Sequence, residues 1–420
     1  MTPELIGLLH DFAFLYPLLM SYVWMAGGTY YYFHYERRDR ALLGSVPVIR
    51  DRGVSIVIPC YNEEDNVRET VHYACQQNYP LFEVIAVNDG SCDATGAILD
   101  ELLERYPQLR VIHLQENQGK AVALTTGAQL ARYEYLVCID GDAILDPNAC
   151  AWLMRHFEMG ARVGAVTGNP RIRNRSTLLG RLQVGEFSSI IGLIKRAQRT
   201  YGRIFAISGV LAAFRRTALQ EVGYWSHDML TEDVDISWKL QLAHWDVRFE
   251  PYALVWILMP ETLHGLWKQR LRWAKGGAQV LLKNWTMFRH WRKRRMWPIY
   301  FEYCFSVLWA YSMVFIFLLW LIGKFWLLPP EWRVDSILPG WTGVVIGTTC
   351  LIQLAVSKWL DAPFDVHLTR NYYWMIWYPL AYWVMGMLTT AVAVPSVLLF
   401  ERNRRARWTS PDRGLRAPAR

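Results

Sequence analysis

YLVCIDGDA, Tyr135 to Ala143, is an apolar run that ends abruptly on two carboxylates separated by one glycine. Tyr135, Leu136, Val137, Cys138 and Ile139 read as a buried strand. A strand that finishes on Asp140, Gly141 and Asp142 places acidic groups at the carboxyl edge of a sheet, where open α/β folds bind their ligands. Two carboxylates there suit a hard cation such as Mg²⁺, which takes oxygen ligands and leaves room for substrate phosphates. In isolation the same tripeptide also reads as an ordinary Asp-Gly turn. Its surroundings in the chain favour the site.

Short apolar strands alternate with amphipathic helices on the amino-terminal side of this stretch, the pattern of a parallel sheet built from βαβ units. Strands are expected at Val54–Pro59, Phe82–Asp89 and Arg110–Leu114, and helices near Glu64–Gln77, Ala94–Arg105 and Lys120–Ala131. No GxGxxG follows the first strand, so a dinucleotide fold of the usual kind is not supported. Two strands end instead in the polar clusters Tyr61-Asn62-Glu63 and Asn88-Asp89-Gly90-Ser91, predicted to line up beside Asp140 and Asp142. An aromatic ring, carboxylates and a metal-holding pair at one edge are what a nucleoside diphosphate requires. Lys120, directly after Gly119 at a helix start, either faces a phosphate or is a solvated first-turn lysine.

On the carboxyl-terminal side, Asp228–Gln241 (DMLTEDVDISWKLQ) predicts a helix capped by Thr231, with Glu232, Asp233 and Asp235 in its first turn. Acids there complement the helix dipole, or one of them serves as a general base once burial restores its basicity. Leu266–Gly277 (LWKQRLRWAKGG), read as a helix, puts Gln269, Arg272, Trp273 and Gly276 on one face. A guanidinium suits a diphosphate leaving group and an indole suits a sugar ring. A basic interfacial helix with Trp at headgroup level has the same composition.

Over the 420 residues, 53% hydrophobic and 14% aromatic content is high for a purely soluble enzyme. The net charge of +8 is concentrated beside apolar runs, as at Arg289–Arg295 and Arg402–Arg407, which suits an anionic membrane surface rather than nucleic acid. The seven cysteines show no metal or disulfide spacing, which points to a reduced compartment. Phe12–Phe33 is uncharged and about as long as the roughly 20 residues a helix needs to cross a bilayer. Arg37, Arg38 and Arg40 follow it, which places the next domain in the cytoplasm. Tyr303–Ile322, Leu338–Ser357 and Tyr372–Phe400 are further spans, the last with a kink expected at Pro379 or Pro395. Three crossings from a cytoplasmic domain put the basic tail on the far side, against the positive-inside rule.

YLVCIDGDA, VNDGS, TED at Thr231–Asp233 and QRLRW at Gln269–Trp273, in this order, resemble the processive membrane glycosyltransferases of family 2, the group of the cellulose, chitin and hyaluronan synthases. Gly164–Arg175, Val184–Arg196, Ser208–Arg215 and Arg405–Gly414 bring the resemblance closer to the bacterial poly-β-1,6-N-acetylglucosamine synthases of biofilms. The resemblance implies a GT-A fold, an α/β Rossmann-like mixed sheet at 54–262. It would lie between an N-terminal membrane helix with its linker (1–36, 37–53) and amphipathic interface helices (263–299), followed by about three membrane helices (300–400) and a basic tail (401–420).

The roles it implies are as follows. Asp89, Tyr61 and Glu63 hold uridine. Asp142 with Asp140 holds Mg²⁺, or Mn²⁺, on UDP-N-acetylglucosamine, and Lys120 and Glu232 belong to the substrate site. Asp233 is the base for inverting transfer, Arg272 steadies the departing UDP, and Gln269 and Trp273 seat the growing polysaccharide. The resemblance also implies export across the bacterial inner membrane and a small membrane partner subunit, with cyclic di-GMP bound at the pair. A single transfer onto a polyprenyl phosphate is the alternative within the chemistry, and an inactive membrane scaffold or export component the alternative outside it.

Overall fold

The computed structural model describes residues 3–40, 46–49, 51–337, 340–365, 368 and 378–399. The chain enters through the long helix α1 (Pro3–Tyr31), which continues as a π-helical turn over Tyr32–Glu36 and the short α2 (Arg37–Arg40). A sheet of eight strands follows. Its first half holds β1 (Val54–Cys60), β2 (Phe82–Asp89), β3 (Leu109–Leu114) and β4 (Tyr135–Ile139), all parallel, in the order β3-β2-β1-β4. Every residue of β1 and β4 is buried, because helices cover both faces of a parallel sheet. The crossovers are α3 (Val67–Ala74), α4 (Thr95–Arg105) and α5 (Lys120–Leu130). The helix expected over Glu64–Gln77 is shorter at both ends, since the Glu63 carbonyl accepts from the amides of Asn66 and Val67 and holds that segment as turns.

The second half of the sheet is mixed. It holds β5 (Ile144–Leu145), β6 (Val163–Ile172), β7 (Leu211–Arg215) and β8 (Asp246–Ile257), and continues from β4 in the order β7-β6-β8-β5. β7 runs antiparallel to both β4 and β6, whereas β6 and β8 are parallel. Between these strands lie α6 (Ala149–Glu158), α7 (Leu178–Phe187), a π-helical stretch over Ser188–Ile194, α8 (Lys195–Thr200), α9 (Arg216–Glu221) and α10 (Glu232–Leu242).

The chain then returns towards the membrane through α11 (Leu263–Asn284), two 3₁₀ segments over Trp285–Arg289 and Trp291–Met296, and the helices α12 (Trp297–Phe325), α13 (Gly340–Asp361) and α14 (Tyr378–Leu399). Four helical stretches are long and apolar enough to cross a bilayer among the described residues: Glu4–Glu36, Trp291–Phe325, Gly340–Phe364 and Ala381–Leu399. They coincide with the four spans expected from the sequence, and Pro395 falls inside the last helix. Residues 401–420 lie outside the described residues, as does the segment 369–377.

The membrane helices are joined to the sheet by buried charge. Arg196 of α8 bonds both Glu36, at 2.7 Å, and Asp361 at the end of α13, at 2.8 Å. Arg171 of β6 reaches the other oxygen of Asp361 at 2.9 Å. All four side chains are at least 97% inaccessible to solvent.

Candidate active site

The carboxyl ends of β1, β2 and β4 lie side by side because these strands are parallel and in register, Cys60 opposite Asn88 and Val57 opposite Cys138. Tyr61-Asn62-Glu63, Asp89 and Asp140 therefore leave the sheet at one edge. The turn after β4 needs glycine: a β-carbon on Gly141 would come within 3.0 Å of the Pro59 carbonyl oxygen and 3.1 Å of the Glu63 side chain. Thr70 fixes the same turn by donating to the Gly141 carbonyl. Asp140 and Asp142 thus stand on either side of a constrained residue, Asp142 almost wholly buried.

Asp89 is fully buried, and its two oxygens accept from the backbone amides of Gln118 (2.9 Å) and Gly119 (2.8 Å). It anchors the start of α5, where Gly119 takes φ +96°, a conformation that L side chains rarely adopt. Lys120 is delivered by that turn. Its ammonium lies 2.6 Å from Asp140, 2.9 Å from Glu232 and 3.4 Å from the Gly209 carbonyl. Lys120 is therefore not a solvated lysine but the cation between two acids. Burial opposes its charge, yet Asp140 and Glu232 outweigh burial and raise its pKa.

Glu232 and Asp233 open α10. Thr231 occupies the N-cap position but does not cap the helix, contrary to the sequence expectation: its hydroxyl makes no hydrogen bond to the first turn. Thr231 packs against Gly276 of α11 instead, where an added β-carbon would lie 2.1 Å from the Thr231 hydroxyl. This contact brings Arg272 of α11 beside the two acids. Asp233 accepts from the amides of Gly209 (3.3 Å) and Val234 (2.9 Å). Burial, reinforced by the charge of Glu232, raises its pKa against the pull of Lys120 and Arg272. Glu232 is shifted down: burial works against its charge, but Lys120 and Arg272 prevail. The two neighbouring acids are thus pushed apart, one held ionised and the other made more basic. Asp235, the third acid of the turn, is spoken for by Ser226 (2.6 Å) and Lys283 (2.7 Å) and ties α10 to α11.

On α11, Arg272 and Trp273 are exposed, Arg272 at 3.5 Å from the Leu230 carbonyl. Gln269 is half-buried, with its amide nitrogen against the Met259 sulfur and its amide oxygen without a hydrogen-bond partner. Two buried cations in this region have no counterpart in the sequence reading. Lys195 donates to Thr167 at 3.2 Å, and burial, opposed by Asp233, lowers its pKa to about 7. Thr167 also accepts from the Ser208 amide, next to Gly209. Arg270 is buried against Glu186 at 2.5 Å. A charged residue within the apolar run IIGLIKR was the only sequence signal for Lys195, and Arg270 fell off the face chosen by helical spacing.

Asp140 and Asp142 offer oxygen donors alone. No group of three His, Cys, Asp or Glu side chains able to hold a metal occurs among the described residues. The pair fits a hard divalent cation that completes its coordination with diphosphate oxygens.

Residues 55–223 match the family described as Glycosyl transferase family 2. A poly-β-1,6-N-acetyl-D-glucosamine synthase of Staphylococcus epidermidis is 38% identical over 410 residues, 97% of this chain and 99% of the relative. The enzyme of that name from Staphylococcus aureus strain MSSA476 is also 38% identical, over 96% of this chain and 98% of its own. Among solved structures, a mannosyltransferase from Pyrobaculum calidifontis, in complex with GDP-Man and Mn²⁺, superimposes with a TM-score of 0.57 at 20% identity, covering 95% of this chain and 99% of its own. At that identity the likeness speaks for the fold, a GT-A type sheet with membrane helices.

Proposed function

Because this chain belongs to the poly-β-1,6-N-acetyl-D-glucosamine synthases of glycosyl transferase family 2, we propose that it polymerises N-acetylglucosamine from UDP-N-acetylglucosamine into a β-1,6-linked exopolysaccharide. It is a hexosyltransferase set among membrane helices. What carries the assignment of roles is one juxtaposition: a half-buried Asp233 with a raised pKa beside the Lys120–Asp140–Glu232 cluster, with Arg272 and Trp273 supplied by the helix that leads to the membrane.

In this reading the 6-hydroxyl of the terminal sugar gives its proton to Asp233. Its oxygen bonds to the anomeric carbon from the face opposite UDP, and the bond from that carbon to the diphosphate oxygen breaks, so UDP leaves with the electron pair and the centre inverts. Glu232 stays ionised on Lys120 and does not compete for the proton. Arg272 places positive charge where the diphosphate charge grows. Asp140 and Asp142 would hold a divalent cation, Mg²⁺ in preference to Mn²⁺, which would supply Lewis-acid stabilisation of the same group. Tyr61 and Glu63 border the nucleoside side of the edge, Asp89 acts there by holding the Gln118–Gly119 turn, and Gln269 and Trp273 seat the acceptor.

The family resemblance further supports an inner-membrane location, extrusion of the chain through the helix bundle, and a small membrane partner subunit holding cyclic di-GMP at the shared interface. The test of the catalytic roles is Asp233→Asn against Asp142→Asn, with UDP-sugar binding and UDP release measured in parallel. Asp233→Asn abolishes release and leaves binding nearly intact, and Asp142→Asn weakens metal-dependent binding as well. Substantial release from Asp233→Asn would overturn the base assignment.

A further inference from the structure

Arg270 separates Gln269 from Leu271 in QRLRW and, three residues before Trp273 on the same helix, borders the face that carries Gln269, Arg272 and Trp273. It is buried and held on several sides. Its guanidinium carbon lies 4.2 Å from the centre of the Trp273 indole, close enough for a cation–π stack, and 5.3 Å from the ring of Tyr382 at the start of α14. One terminal nitrogen meets Glu186 of α7 at 2.5 Å and the Tyr382 hydroxyl at 3.5 Å. Glu186 also hydrogen-bonds the Tyr382 side chain. Three elements, a helix of the catalytic domain, the acceptor helix and a membrane helix, therefore meet on one buried guanidinium.

We propose that Glu186, Arg270 and Tyr382 act as a positioning clamp that fixes the Trp273 indole relative to membrane helix α14 and so sets how long the growing polysaccharide stays engaged. This rests on the assignment of Trp273 to the acceptor seat. The guanidinium lies against the indole, while Trp273 remains 36% exposed. Only a planar cation can stack on two rings and bond a carboxylate at the same time, which lysine cannot do. Glu186 supplies the counter-charge that lets this cation stay buried, and without it Arg270 would be drawn towards water and release the indole. The clamp's hydrogen bonds and ring contacts link α7, α11 and α14 around Trp273, so it bears on the acceptor rather than on the donor.

The test uses the full chain in membranes, with UDP-N-acetylglucosamine as donor and short β-1,6-linked N-acetylglucosamine oligomers as acceptor. Glu186→Gln, Arg270→Lys and the milder Tyr382→Phe are compared for product length, acceptor KM and donor KM in the same reactions. Loss of the stack raises acceptor KM by about fivefold to tenfold and shortens the product, with donor KM unchanged. Tyr382→Phe, which keeps the ring, shifts both in the same direction by less. A variant that merely lowered the fraction of folded enzyme would reduce turnover and leave length and both KM values as they were, and that result would overturn the clamp. Donor KM rising in step with acceptor KM would overturn it too. If the unaltered chain released no UDP, the functional reading beneath the proposal would fall instead.

Discussion

The Asp233 carboxyl is half-buried beside Glu232 and the Gly209 amide, and its raised pKa has a direct kinetic consequence. A base acts only when ionised, so turnover falls as pH drops through a pKa above the ordinary aspartate value of about 3.9. Lys195, whose pKa is lowered to about 7, carries charge near Asp233 across that range, in addition to Lys120 and Arg272. Removing it as Lys195→Met withdraws a charge that favours the carboxylate. The acid limb of the pH–rate profile should therefore move to higher pH, and an unmoved limb would show that Lys195 does not act on Asp233. Much of this site was legible in single residues. The DGD and TED triplets mark acids at a strand end and at a helix start, the family resemblance rather than residue type singles out Asp233 among them, and a glycine between two aspartates already implies a constrained turn. The partners of Lys120 were not legible, because Asp140 and Glu232 are 92 positions apart and meet only through the sheet. Asp89 was read as a nucleoside contact. Its local sequence gave no sign that the Gln118 and Gly119 amides would also donate to its oxygens.

At the scale of elements, the approach of α11 to the tip of α10 depends on Gly276. An alanine there would place its β-carbon 2.1 Å from the Thr231 hydroxyl and 2.7 Å from the Thr231 β-carbon, too close for a stiff β-branched side chain to absorb. Gly276→Ala should therefore displace Arg272 from Asp233, with a cost of about 1–3 kcal/mol typical of overpacking and a matching loss of UDP release. Combining it with Thr231→Ala should restore part of the activity, measured by the same assay. The parallel half of the sheet was readable because β1, β2 and β4 are mainly apolar runs of strand length. The other half was not. β6 contains Gly164, Gly168 and Pro170, residues that argue against a central strand, and its pairing with β8 is interrupted by two register shifts. Helix α11 was readable as an amphipathic segment. The burial of Arg270 was not, since its partners Glu186 and Tyr382 come from distant helices.

For the whole molecule, the Glu36–Arg196–Asp361–Arg171 network joins the first and third membrane helices to the catalytic sheet. Arg196→Met removes the buried cation that Glu36 and Asp361 share, leaving Arg171 on Asp361, and should lower stability by about 3–5 kcal/mol, read as a drop in thermal midpoint in detergent. Arg173→Met, which removes a half-exposed pair with Glu69, should cost less than about 1 kcal/mol in the same measurement. The four spans could be read from hydropathy, whereas this ionic joint could not, because Glu36 and Asp361 stand at the ends of spans where charges are ordinary. The joint places a synthase directly on a helix bundle, an arrangement suited to elongating a hydrophilic chain at the membrane. The most direct test is to supply membranes bearing this chain with labelled UDP-N-acetylglucosamine and Mg²⁺, with and without the proposed partner and cyclic di-GMP, then size the product and digest it with a β-1,6-specific hexosaminidase. Long polymer that the hydrolase degrades is the predicted result. Label confined to a lipid-linked single sugar, or no UDP release under any of these conditions, would contradict it.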